Sequence, residues 1–373
     1  MSKTKRDFKL SKFSYLTERE LKFVSQNKYK GKNDSLLYKY VTSPFCNWLV
    51  KNYIPDWMAY YSPNMEEPLP RYILIFSPLT VIFYNICDNC DGKQARKTDN
   101  ASPLGQMFDH GIDCVVGLYV IQNTTTTIQA GNTWIQYLIL IGTLGCFYMA
   151  TWDEYWCGNF YLGMFNGPNE GNLFVIILNF LVFIKPDLFA MNIFGKKLSD
   201  IALPPLLIAL IPVLIVNISR VSKSGNLKQY GIKRAFITTI PNIAAVTVTL
   251  GWRILNPSLF DNYPRFTWTI VGFLFANLNF RILLAHLSKN FKNWYYAQSF
   301  WVLIYIPVLY HFFGMKFISE KLFIYTYASL LILAFVHLFT SVTIDVSSYL
   351  GIKVFKNKPV FIKKKKRTFL KNK

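Results

Sequence analysis

Residues 87–113, CDNCDGKQARKTDNASPLGQMFDHGID, hold four aspartates at helical spacing. Asp88 and Asp91 stand at i, i+3, and Asp109 and Asp113 at i, i+4, so on helices each pair points one way. The first pair ends one apolar run and the second opens the next, which brings four carboxylates together near a membrane surface. Carboxylates in that setting are expensive and repel one another unless cations neutralise them. Hard oxygen donors favour Mg²⁺, Mn²⁺ or Ca²⁺ over zinc. Two divalent ions bridged by aspartates suit transfer of a pyrophosphate-linked group, because they neutralise its oxygens and stabilise the leaving group. The plainer alternative, helix caps and surface acids, fits this constrained spacing poorly.

An acceptor hydroxyl needs a base. Asp113 is one candidate, although metal binding lowers its basicity. His110 is adjacent and titrates in the useful range. Glu170, in the 167–171 stretch GPNEG, lies in the next loop on the same side and can orient that imidazole. Gly92 leaves its backbone open to close approach by another group, and Arg96 can fork onto a phosphate. Lys93 reads equally as an interfacial charge.

These residues must be held by membrane helices. The 373 residues are 52% hydrophobic, with repeated apolar runs near bilayer-spanning length. The runs fall near 71–88, 105–124, 133–154, 172–194, 201–220, 235–255, 266–288, 295–315 and 321–344. The expected fold class is therefore an all-α polytopic membrane protein with about nine transmembrane helices, since helices satisfy their own backbone in lipid. Residues 1–42 form a basic tail, 43–59 an amphipathic helix lying on the membrane surface, 60–345 the transmembrane domain and 346–373 a second basic tail.

The net charge of +21 sits in the tails and alternate loops. No stacking platform or groove-reading motif accompanies it, so membrane lipids rather than nucleic acid are the expected partner. The six cysteines lack a second pair at zinc spacing and read as small apolar residues in a reduced setting. The first forty residues have no apolar core, so no cleavable signal peptide is expected. Loops 89–104, 155–171, 221–234 and 289–294 and the tail from Asp345 carry the basic excess and are assigned to the cytosol. The eleven Lys/Arg of residues 1–40 ask for the same side, yet a single span at 71–88 puts residues 1–70 on the other. Either 71–88 is re-entrant or one span before it is absent.

The pattern D-x₂-D-G-x₂-A-R-x₈-G-x₃-D-x₃-D is matched in full by Asp88, Asp91, Gly92, Ala95, Arg96, Gly105, Asp109 and Asp113. It resembles the signature of the CDP-alcohol phosphotransferases. DGKQARKT, SPLGQMFDHGID, TWDEYW, FNGPNEG and residues 281–289 resemble the choline and ethanolamine phosphotransferases among them, over about 36–292. The resemblance implies that the aspartates hold two Mg²⁺ or Mn²⁺ ions. It implies that Gly92, Ala95, Arg96 and Gly105 meet the CDP part. It also implies a His110–Glu170 pair beside Asp113. The implied reaction moves phosphocholine or phosphoethanolamine from CDP-choline or CDP-ethanolamine to diacylglycerol, giving phospholipid and CMP. It would run at the cytosolic face of the endoplasmic reticulum or Golgi; a homodimer is left open.

That family has about ten spans against nine here, and Trp57-Met58-Ala59 runs directly into a piece that usually follows the first span. A segment is therefore expected to be missing between Ala59 and Tyr60. It motivates the competing expectation of an impaired or inactive relative with a regulatory role. Trp152, Tyr155 and Trp156 read either as a cage for a quaternary ammonium group or as an interfacial belt.

Overall fold

A computed structural model describes residues 15–26, 31–33, 62–97, 101–163, 166–290, 298–314 and 317–352. The described chain is almost entirely helical. A short α1 (Glu18–Gln26) and strand β1 (Gly31–Asn33) precede α2 (Arg71–Lys97), α3 (Pro103–Thr127) and α4 (Trp134–Cys157). Strand β2 (Phe160–Leu162) and a π-turn (Gly167–Gly171) lead into α5 (Asn172–Ile184). A tight hairpin of β3 (Asn192–Ile193) and β4 (Lys196–Lys197) precedes α6 (Leu198–Ile208), α7 (Leu210–Ser222) and α8 (Gly225–Tyr230). The rest is α9 (Ile232–Leu255), α10 (Pro257–Asn262), α11 (Pro264–Leu287), α12 (Gln298–Leu309) with a π-turn to Gly314, and α13 (Glu320–Leu350).

All nine expected segments are helical over most of their length, and seven spans are long and apolar enough to cross a membrane among the described residues. The continuous stretch Leu198–Ser222 is one of them. Helix α3 has 25 residues, but Asp109, His110, Asp113 and its Thr-rich end make it too polar to count by composition. The apolar helix Phe300–Phe313 is too short to count. A 24-residue helix such as α4 is about 36 Å long, enough for a ~30 Å hydrocarbon core.

Local sequence sets the helix ends. Ser102, Thr133 and Ser319 cap α3, α4 and α13 by accepting backbone N–H bonds. Gly158 closes α4 at φ 76°, a left-handed position that glycine tolerates. The bundle is organised around α11, which is apolar on nearly every face and is buried on nearly every face. It packs on α3, α4 and α13.

Two ends of the bundle follow from contacts. At one end Tyr155 Oη donates to the Asn290 carbonyl and Asn226 Nδ2 to that of Trp156. At the other, Asn132 Nδ2 donates to the Phe260 carbonyl and Ser258 Oγ to Glu320. The basic loops after α4, α7 and α11 thus share one end. The N-terminal piece sits there too: Asn290 Nδ2 donates to Glu20 at 2.7 Å, and β1 runs parallel to β2, Gly31 beside Phe160. Residues 62–70 lie at the opposite end, where the Ser62 carbonyl accepts from Arg265 Nε and the Met65 carbonyl from Gly131 N. Residues 15–26 and 31–33 on one hand and 62–70 on the other are therefore not on one side, contrary to the expectation drawn from a span at 71–88. Helix α2 is one continuous 27-residue helix, which disfavours the re-entrant alternative. The expected surface helix 43–59, the Ala59–Tyr60 junction and most of both basic tails lie outside the described residues.

Cys114, Cys146 and Cys157 are free thiols. Cys87 departs from the reading of reduced cysteines, because it is disulfide-bonded.

Candidate active site

Helices α2 and α3 run antiparallel from a short connection, and the Ala95 carbonyl accepts from Ala101 N at 3.1 Å across it. This hairpin brings Asp88 from α2 against Asp109 and Asp113 from α3. One carboxylate oxygen from each lies within 4.8 Å of the others. Tyr84, one helical turn before Asp88, donates its hydroxyl to Asp113 Oδ1. Three convergent hard oxygens fit a divalent ion such as Mg²⁺ or Mn²⁺ in donor type. The side chain of Asp91 lies outside the described residues.

The first turn of α3 faces the same end. Ser102 Oγ accepts from Gly105 N at 3.2 Å, and Pro103 follows the cap. The remaining backbone donors of such a helix start favour anionic groups. Gly92, Ala95 and Arg96 occupy the last turns of α2. A Cβ on Gly92 would come 3.3 Å from Arg96 Nη1, so glycine lets the guanidinium fold back along the helix toward the aspartates' end.

His110 is buried, 5% exposed. Its Nδ1 lies 3.8 Å from Glu154 Oε2, and its ring packs on Phe160 with centroids 4.8 Å apart. Glu154 also faces His286, with Oε1 at 3.6 Å from Nε2, and accepts a 2.8 Å hydrogen bond from Gln106 Nε2. The expected partner, Glu170, is half-buried in its π-turn, where Oε2 accepts from Asn166 N at 2.8 Å. That turn is tied to α2, since Asn172 Nδ2 donates to Asn85 Oδ1 and to the Pro168 carbonyl. The carboxylate described beside His110 is thus that of Glu154.

The aromatic cluster is neither an open cage nor an interfacial belt. Trp152, Tyr155 and Trp156 are at most 5% exposed. Both indole N–H groups donate to Thr238 Oγ1, at 2.9 and 3.1 Å. They anchor α4 to α9, because a buried indole N–H requires an acceptor. Beside them Arg220 Nε donates to Asp153 Oδ2 at 2.6 Å, with its guanidinium over Tyr161.

Sequence reasoning missed Tyr84, Glu154 and His286. Tyr84 was within reach, being four residues before Asp88 on one helix face. Glu154 and His286 stood inside the motifs TWDEYW and 281–289 and as ionisable residues in apolar runs, but no spacing links them to His110, because the three come from three helices.

Residues 70–221 match the family model for CDP-alcohol phosphatidyltransferase. The chain is similar to the "Uncharacterized CDP-alcohol phosphatidyltransferase class-I family protein 3" of Dictyostelium discoideum, 29% identical over 91% of this chain and 98% of that one. It is 27% identical to the Choline/ethanolaminephosphotransferase 2 of Arabidopsis thaliana, covering 89% of this chain and 96% of the relative. It is 24% identical to the Ethanolaminephosphotransferase 1 of Homo sapiens, covering 92% and 94%.

Proposed function

We propose, from the match of residues 70–221 to the CDP-alcohol phosphatidyltransferase family model, that the chain transfers phosphocholine or phosphoethanolamine from a CDP-alcohol to diacylglycerol, releasing CMP. The observation that carries this reading is the meeting of Asp88, Asp109 and Asp113 at the end of a membrane helix pair. In the proposed mechanism these three and Asp91 would hold Mg²⁺ or Mn²⁺, two ions as the family resemblance implies. When bound, the ions neutralise diphosphate oxygens and the departing CMP. Tyr84 fixes the orientation of Asp113 through its hydroxyl. Arg96, Gly92, Ala95 and Gly105 receive the CDP part at the helix ends. His110 takes the proton from the lipid hydroxyl as it attacks the β-phosphorus, with Asp113 next to it and Glu170 supporting from its tethered turn. The names of the Arabidopsis and human relatives support the choline or ethanolamine head group. The shared basic end supports a cytosolic active site, and the family resemblance supports the endoplasmic reticulum or Golgi.

The test is expression of these 373 residues in cells lacking the activity, with diacylglycerol and labelled CDP-choline or CDP-ethanolamine. Metal-dependent labelled phospholipid, lost on chelation and in Asp113→Asn, is expected. A well-expressed chain that yields no product with either donor overturns the reading and favours an inactive membrane relative.

A further inference from the structure

Glu154 is a carboxylate with 1% exposure in the last turn of a membrane helix. Burying a charge there is costly, and a buried ion pair is weak evidence of a stabilising role. Its surroundings are specific. Oε1 accepts from Gln106 Nε2 at 2.8 Å and lies 3.6 Å from His286 Nε2. Oε2 faces His110 Nδ1 at 3.8 Å. Gln106 and His110 are one turn apart on α3, so α3 presents both to one carboxylate. His286 stands on the last turn of α11. On the opposite flank, the Phe160 ring packs against His110, and Phe160 is itself held by strand pairing to Gly31.

We propose that Glu154 is the positioning residue of His110: with Gln106 and His286 it forms a three-helix clamp that sets the angle of the imidazole. In this scheme Glu154 holds the Nδ1 edge and the Nε2 edge takes the proton of the acceptor hydroxyl. The separation of 3.8 Å is longer than a hydrogen bond, and such contacts commonly tighten when substrate binds. Glu154 touches no reacting atom in this scheme. Glu170 retains its own role from the neighbouring turn.

The inference rests on the reading of His110 as base, so the experiment separates the two. Wild type, E154Q, H110A and the double variant are purified in lipid nanodiscs. Their kcat, their KM for CDP-alcohol and diacylglycerol, and their melting profiles are measured. Glutamine keeps the shape and the bond partners but removes the charge that faces two imidazoles. E154Q is expected to lose about 10–100-fold in kcat, the scale of a misplaced catalytic group, with KM changed less than about threefold and melting preserved. In the H110A background the same substitution is expected to cost nothing further. Should E154Q melt differently from wild type, E154D is read instead. It keeps the charge, withdraws the oxygens by one methylene, and is expected to lose kcat with KM unchanged. An inactive H110A beside a fully active E154Q overturns the clamp and leaves the base assignment standing. Full additivity in the double variant overturns it equally. An H110A protein that turns over at the wild-type rate removes the base assignment, and the clamp with it.

Discussion

Replacing Asp113 by Asn is expected to stabilise the metal-free protein while abolishing its response to divalent ions. The oxygens of Asp88, Asp109 and Asp113 lie within 4.8 Å of one another. At an effective dielectric of 20, each pair of full charges at that distance repels by about 3.5 kcal/mol. Asp113 takes part in two of the three pairs. All three residues are half-buried, so solvent and salt screen only part of the sum, and relief on the order of 1–3 kcal/mol is the expected net gain. Asparagine still offers an oxygen to the Tyr84 hydroxyl, so the neighbouring hydrogen bond survives. The relief corresponds to a melting point raised by a few degrees in EDTA. Wild type behaves in the opposite sense: Mg²⁺ at about a hundred times its dissociation constant adds about 2.7 kcal/mol. Intrinsic tryptophan fluorescence during thermal unfolding in nanodiscs, with EDTA or MgCl₂, reads both effects. A D113N protein that melts lower than wild type in EDTA, and still gains the full Mg²⁺ shift, refutes the assignment of these carboxylates to a cation.

Three further outcomes can be measured. Gly92→Ala places a Cβ 3.3 Å from Arg96 Nη1; it should raise KM for CDP-alcohol about tenfold, with thermal stability unchanged, in steady-state assays. Thr238→Val leaves the indole N–H groups of Trp152 and Trp156 without their acceptor, and should cost about 2–4 kcal/mol of stability in equilibrium unfolding. Gly272→Ala puts a Cβ 2.3 Å from Leu118 Cδ2 where α11 crosses α3; since Leu118 is fully buried, overpacking should cost about 1–3 kcal/mol in the same measurement.

Much of the molecule was legible before any coordinates. The apolar runs placed every long helix, because a lipid-spanning segment must be both helical and about twenty residues long. Span ends were less legible: 172–194 stops as a helix at Ile184, where Lys185 and Pro186 open the turn toward the β3–β4 hairpin. Helix α3 was placed by its apolar run at 105–124, although its aspartates, histidine and Thr-rich end keep it out of the seven clear spans among the described residues. The aromatic motif TWDEYW misled, because ring chemistry does not say whether a ring faces a ligand or a threonine on the next helix.

That Asp88 would share a membrane side with Asp109 and Asp113 was decided in advance, since one ends an apolar run and the others open the next, and a short connection cannot cross the bilayer. The positive-inside pattern likewise assigned the basic loops to one end, because charge and loop length are properties of the chain. The company kept by His110 was different. Whether Glu170 or Glu154 stands beside it depends on how α3, α4 and α11 rotate about their own axes, and thus on packing among Leu118, Gly272 and the aromatic core. That rotation is set by contacts between residues more than a hundred positions apart, which no local period encodes, so only the tertiary structure could bring Glu154 and His286 to His110.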